Sequence, residues 1–417
     1  MKLIDFIARG RGAAARNVSD GRGRPGNRRV ADSRRARPGR PGGVFSRLKP
    51  RHGLWILLIA AVVAAILSCG GRDAPDSRFR DKSAASGTPA GGGAKGASGA
   101  GSSHNPDKDA LPLAQLAAKL GPLPKPAKAY RLVAILPYYG EEYWQVLARG
   151  MQSRAMELGV SIEMPAAASP ADTKGELDLA MRELDRGCDA LLLAPISAAA
   201  LAPAVARAKA AGIPVLGLGQ SEPIASVPLI GPSQYETGVR AAEYFLGQLP
   251  KGAKILLLAG DLAPLALRER TQGLTDRLAG SKISVADTVQ GGSTPAATMA
   301  AVKDVLAKLP DLAGVYCTSD ALALTAAQAL AQAGKSQTVR LVGSGGESRA
   351  YDAIRQGELA ATIDFFAYIN GQAAVDGALR LLAGQILPQR ITTPQNGVTA
   401  QNLNNPLPAG GVQPNSQ

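Results

Sequence analysis

Between Tyr130 and Phe366 the chain alternates short, nearly unbroken apolar runs with longer segments of helical period, and it does so twice. No other feature restricts the fold as much. An apolar run of about four to eight residues reads as a strand buried on both faces, the mark of a parallel sheet covered by helices. The first series holds YRLVAILP (130–137), VSIEMP, CDALLLAP (188–195), IPVLGLG (213–219) and the short VPLIG (227–231). The second holds KILLLAG (254–260), ISVADTVQ (283–290), GVYCTS (314–319), VRLVGSGG (339–346) and LAATIDFF (359–366).

Helices are predicted between them, at about 141–158, 198–211, 265–279, 320–334, 349–356 and 370–382. Two more open at Ser169-Pro170-Ala171-Asp172 and at Thr294-Pro295, where a capping hydroxyl precedes a proline suited to a first helical turn. Leu177, Ala180, Met181 and Leu184 give the first of these an apolar stripe. Two βαβ series predict an α/β fold of two doubly wound lobes, each on a parallel sheet.

A different apolar run, Trp55–Cys69, lies upstream and is shorter than the ~20 residues of a membrane-spanning helix. A basic flank precedes it, and Ile66-Leu67-Ser68-Cys69 ends it, as at a cleavage site. These four residues resemble the bacterial lipobox, which makes Cys69 the lipidation site and places the downstream chain outside the cytoplasm. An uncleaved anchor and a buried core helix are the other readings. Residues 1–53 form a basic leader and 54–69 the signal core. The leader reads as an extended signal region, as an RNA-touching tail, or as the product of a start placed too far upstream.

The net charge of +14 suggests nucleic acid until its distribution is read. The leader holds 15 Lys and Arg against three acidic residues, so the rest of the chain is nearly neutral. A basic footprint is therefore missing from the body, and no nucleic-acid partner is expected. The only histidines are His52 and His104, both ahead of the body. Mechanisms that need imidazole are thereby excluded there, and no enzyme is expected. Cys188 and Cys317 read as buried free thiols, with pairing as the alternative. No CxxC or Cys/His cluster is present, so no metal and no cofactor are expected. Residues 70–128, rich in Gly, Ala, Ser and Pro, read as a flexible tether, with Leu113, Leu116 and Leu120 spaced for a short helix.

In open parallel sheets, ligands lie beyond the carboxyl ends of the strands. That rule nominates Tyr138, Gln220, Asp261, Ser319, Asp320, Asp364 and Phe365, together with the glycines around them. Tyr143 and Trp144 read as stacking surfaces or as core. Arg270 reads as a guanidinium aimed into a cleft or as part of a solvated charge run. Asp320 also suits the first turn of a helix. Such groups fit a small polar ligand held by hydrogen bonds and ring stacking.

The body, about 130 to 400, resembles the type I periplasmic binding proteins, nearest the ribose-binding branch and related in fold to lactose-repressor ligand domains. The carriers are LVAILP…YWQVLARGM, LDRGCDALLLAP, AGIPVLGLG, RERTQGL, VYCTSDALALTAAQAL, LVGSGG and GELAATID. The resemblance implies a first lobe of 129–233 plus 366–393 and a second of 234–365 plus 394–404, then a tail, 405–417. It also implies three hinge crossings, near Ser233, Phe365 and Pro394, that close the lobes on a ligand. The family's stacking pair falls on Tyr143 and Trp144, its cleft arginine on Arg270 and its polar strand-end group on Ser319.

Several positions depart from the sugar-binding pattern. Gly219-Gln220 replaces an Asp-Arg pair, Gly345 a second aspartate, and Glu141 an asparagine. The hinge glutamine aligns with Phe365, beside Asp364. Aspartates that clamp sugar hydroxyls are largely lost, which opens the alternative of a cationic or amide-bearing ligand met by Glu141 or Asp364.

The function expected is a monomeric, lipid-anchored receptor that delivers a small polar, sugar-like ligand to the permease of an ABC importer. A sensory receptor reporting to a membrane kinase or chemoreceptor is the alternative. A repressor would need a helix-turn-helix where the signal-like run and tether stand.

Overall fold

In the computed structural model, residues 105–260, 264–290 and 294–407 are described. The leader, the apolar run with Cys69, residues 70–104 of the tether, Asp261 and residues 408–417 lie outside them. The first elements are β1 (Leu111–Pro112), α1 (Leu116–Leu120), β2 (Arg131–Ile135), α2 (Glu142–Leu158), β3 (Ser161–Glu163), α3 (Thr173–Arg186) and β4 (Ala190–Leu193). Next come α4 (Ala202–Ala210), β5 (Val215–Leu218), β6 (Leu229–Gly231), α5 (Gln234–Gln248), β7 (Lys254–Leu258), α6 (Leu265–Leu278) and β8 (Ser284–Val289). The last are α7 (Pro295–Lys308), β9 (Leu312–Cys317), α8 (Asp320–Gln332), β10 (Arg340–Gly345), α9 (Ser348–Arg355), β11 (Ala361–Asp364), α10 (Ala367–Leu382), β12 (Arg390–Thr392) and β13 (Asn396–Thr399).

The apolar runs become central strands because their side chains are buried on both faces. Leu132, Ala134 and Leu192 face one core of the first lobe, while Val133, Ile135, Leu191 and Leu193 face another. The second lobe repeats this, with Leu256 and Leu258 on one side and Ile255 and Leu257 on the other. The first sheet has seven parallel strands in the order β1-β12-β6-β5-β4-β2-β3. The second has six, β13-β11-β10-β9-β7-β8, and its edge strand β13 runs antiparallel to β11. Both lobes are α/β with parallel-sheet cores, and β13 is the single departure among the described strands.

The chain passes between the sheets three times: after β6, between β11 and α10, and between β12 and β13. Two passages are bonded together. The Thr237 hydroxyl lies 2.7 Å from the Gln395 side-chain oxygen, and the Gln395 amide donates to the Ser233 carbonyl at 2.9 Å. Phe366, at the remaining passage, takes a left-handed backbone with φ 48°.

Some local expectations need correction. Helix α3 is capped by Asp172, whose carboxylate accepts from the Gly175 N–H, and not by Ser169. The tether does not run freely to residue 128. From β1 onward it lies on the first lobe, where β1 pairs with the edge of β12 and Leu116 is buried. Side chains from the far end of the lobe hold it: Arg380 donates to the Gly121 carbonyl and Gln385 to the Leu120 carbonyl. The short helix expected there is present, a 3-10 turn over Leu113–Gln115 leading directly into α1. Cys188 and Cys317 are buried free thiols.

Candidate functional site

The strand ends of both sheets face one cavity of about 500 Å³. Its first wall comes from the start of α2. Tyr143 and Trp144, in the first turn, are nearly buried and meet edge to face with centroids 4.9 Å apart. Tyr143 also meets Phe365 edge-on at 6.1 Å. The Asn370 amide fixes this corner, donating to the Tyr143 hydroxyl at 3.1 Å and to the Phe365 carbonyl at 3.0 Å. Burial holds the Tyr143 phenol well above its ordinary pKa, so it stays protonated.

The same packing explains the glycine at the end of β5. Gly219 has φ 64°, and a Cβ there would stand 2.8 Å from the Tyr143 hydroxyl and 3.3 Å from the Trp144 ring. Tyrosine and tryptophan occupy the space a side chain at this position would need.

Arg270, on α6, crosses the cavity floor with only 3% of its surface exposed. Its Nε donates to the Gln234 side-chain oxygen at 2.8 Å, its Nη1 to the Thr318 carbonyl at 2.5 Å, and its Nη2 to the Gln220 side-chain oxygen at 2.6 Å. The guanidinium also lies over the Phe365 ring, 4.7 Å from its centroid, a cation–π arrangement. Burial lowers its pKa, yet an arginine keeps its charge in proteins. The reading as a cleft-facing guanidinium describes its position better than a solvated charge run.

Two predicted carboxylates are engaged elsewhere. Asp320 is fully buried and accepts from the Thr362 hydroxyl at 2.6 Å and from the Gly346 and Glu347 N–H groups at 2.8 and 3.0 Å. It shapes the turn from β10 into α9. Asp364 accepts from the Tyr351 hydroxyl at 2.6 Å and from the Phe366 N–H at 2.7 Å. Burial, first among the causes, pushes the Asp364 carboxyl up to about 7. Neither side chain lines the cavity.

Tyr138, Glu141, Gln220 and Ser319 do line it, together with Tyr143, Trp144, Arg270 and Phe365. Sequence reasoning missed Glu222 and Glu347, which line it too. Each sits one or two residues beyond a nominated strand end, so the same rule extended slightly further would have found them. Glu347 is half-buried, and burial followed by the neighbouring carboxylates raises its pKa to about 7. Glu141 is exposed, yet the protein around it raises its pKa by desolvation, opposed by Arg270 and by a hydrogen bond from the Trp144 side chain.

Two α/β lobes with a polar, aromatic-walled cavity at their strand ends define a receptor for small solutes rather than a catalyst. Residues 132–386 match the family model described as periplasmic binding protein domain, and the chain belongs to that family. It is 25% identical over 265 residues to the D-ribose/D-allose-binding protein of Pseudomonas aeruginosa, covering 61% of this chain and 83% of that protein. It is 30% identical over 242 residues to the ribose import binding protein of Escherichia coli, covering 57% of this chain and 80% of that one. Among solved structures, a periplasmic solute-binding protein of an ABC transporter from Actinobacillus succinogenes, with bound D-allose, is similar in fold. Its TM-score is 0.62 at 19% identity, over 66% of this chain and 99% of that one.

Proposed function

We propose that this protein is an extracytoplasmic solute receptor that closes its lobes on a small polar, sugar-like ligand and delivers it to an ABC permease. The observation that carries this reading is the cavity bridged by Arg270 and Gln220, with Tyr143, Trp144 and Phe365 as its walls. The flat apolar rings suit the faces of a sugar-sized molecule, and Gln220, Ser319 and Glu141 suit its hydroxyl groups. Names of the relatives support a sugar-class ligand and an import role. The passages near Ser233, Phe365 and Pro394 serve as the hinge, dividing the chain into the lobes expected from sequence.

The signal-like run ending at Cys69 gives the receptor its membrane attachment in this reading. Cleavage before Cys69 leaves an acylated cysteine at the mature N-terminus and removes the basic leader. Mass spectrometry of the mature protein tests it, and an unmodified chain starting upstream of Cys69 would remove the lipid anchor. Ligand capture is tested by thermal melting of the full chain in detergent against pentoses, hexoses, polyols and amino compounds. A ligand at about 100 times its dissociation constant adds about 2.7 kcal/mol, which shifts the melting curve measurably. Failure of every solute class to stabilise the chain would refute the receptor reading.

A further inference from the structure

The charges around the cavity do not balance. Among the described residues, Glu141 and Glu222 from the first lobe and Glu347 from the second face a single lining cation, Arg270. Arg270 neutralises none of them by contact, since its three hydrogen bonds go to neutral oxygens. Glu222 accepts from the Ala198 N–H at 2.8 Å. Among the described residues, no hydrogen bond or ion pair reaches the Glu347 carboxylate; Asp320, Glu142 and Glu141 repel it, and Arg349 opposes them.

Glu347 and Glu141 come from different lobes, so drawing the lobes together sets one carboxylate against the other. A cation lodged between them turns that repulsion into charge-assisted hydrogen bonds. The remaining wall suits a hydroxylated ring. Among the described residues the Gln220 amide nitrogen has no acceptor, and Ser319 accepts from the Leu322 N–H at 3.3 Å with its hydroxyl proton still available.

Resting on the reading of a small solute enclosed between the lobes, we propose that the ligand is a polyhydroxylated amine of the amino-sugar kind, its ammonium held between Glu141 and Glu347. The amine supplies the positive charge that the lining lacks, and its hydroxyls meet Gln220, Ser319 and the unused donors of Arg270. A neutral sugar of the same shape places a hydroxyl there instead, which can donate to one carboxylate but leaves the two negative charges uncompensated.

The test is calorimetric titration of the full chain in detergent at neutral pH. Glucosamine, galactosamine and mannosamine are each compared with the parent hexose and the N-acetyl derivative, which keep the shape and remove the charge. At least one amine should bind roughly 100-fold more tightly than its parent, the scale expected for an enclosed charge pair. E347Q and E141Q should each bring that ratio below about tenfold, a loss that general damage to the cleft would not confine to the charged ligand. A parent hexose or N-acetyl sugar that binds as tightly as its amine overturns the proposal and leaves the solute-receptor reading standing. Amine selectivity that survives both substitutions overturns the placement of the ammonium. Binding of no member of either set overturns the amino-sugar proposal and the sugar-class reading together.

Discussion

Arg270 and Gln220 meet across the gap between the lobes, the guanidinium Nη2 donating to the glutamine side-chain oxygen at 2.6 Å. The other two bonds of Arg270, to Gln234 and to the Thr318 carbonyl, remain within the second lobe or at its entrance. The two ends of this contact should therefore respond differently to truncation. Arg270→Ala leaves three acceptors without their donor and should cost about 2–4 kcal/mol of stability as well as ligand affinity. Gln220→Ala removes only the contact across the gap and should lower affinity at least about tenfold with under about 1 kcal/mol lost from stability. Urea unfolding paired with calorimetry separates these effects, and equal destabilisation by both substitutions would count against the assignment.

Glu142 and Ser348 form a second link between lobes. The Glu142 carboxylate accepts from the Ser348 N–H at 3.1 Å and from its hydroxyl at 2.9 Å. Both residues lie at helix starts, on α2 and α9, so the carboxylate also faces the positive end of α9. The link is solvent-accessible and should contribute about 0.5–1.5 kcal/mol to the closed arrangement. Ser348→Ala retains the N–H bond and Glu142→Ala removes both. Distances between spin labels on the two lobes of the ligand-free protein should therefore lengthen more in Glu142→Ala, and unchanged distances in both would remove the link from the closing mechanism.

The strands that build the site were legible because their apolar runs are buried on both faces, a demand that only the local sequence has to meet. Helix α5 was missed, although Ser233-Gln234-Tyr235-Glu236 carries a start signal: the Ser233 side chain accepts from the Glu236 N–H at 3.0 Å. Strands β12 and β13 were also passed over, since three or four residues carry too little periodicity to read alone. Asp320 and Asp364 looked like cleft groups because their partners, Thr362 and Tyr351, lie far along the chain or on another element. The rule of strand ends located the cavity, but it could not tell a carboxylate facing it from one turned into the turn beneath it.

Asp364 makes a sharp prediction about pH. Its folded-state pKa is raised to about 7 by burial and by Asp320, with Tyr351 and the Phe366 N–H acting the other way. A raised carboxyl pKa means that the folded protein binds the proton more tightly than the unfolded chain. The resulting stability is fully present below the unfolded value, near 4, and is lost as pH rises through about 7. Asp364→Asn keeps an acceptor for the Phe366 N–H but no longer ionises. It should remove on the order of 4 kcal/mol from the pH dependence of stability across that window. Urea unfolding at several pH values checks this, and a variant whose profile parallels the parent's places the titration elsewhere.

The last prediction concerns the glycines that hold the site helices. Helices α2 and α10 touch where a Cβ on Gly150 would overlap the Tyr368 carbonyl and one on Gly371 the Leu147 carbonyl. Helices α5 and α6 repeat the arrangement: Gly238 faces the Arg270 carbonyl and Gly273 the Tyr235 carbonyl. Glycine weakens a helix by roughly 0.8–1 kcal/mol relative to alanine, so its presence here is explained by the close approach of two backbones. Gly238→Ala must push α6 away at the residue that carries the cleft guanidinium, linking a packing change directly to the site. It should destabilise the second lobe by about 1–3 kcal/mol and weaken ligand binding in proportion to the shift of Arg270. Gly247→Ala, on the same helix with nothing within 4 Å of its added Cβ, is the control and should be neutral or stabilising by up to about 1 kcal/mol. Urea unfolding and calorimetry on the pair distinguish steric separation from a general response to alanine. If both substitutions behave alike, helix contact does not set the position of Arg270.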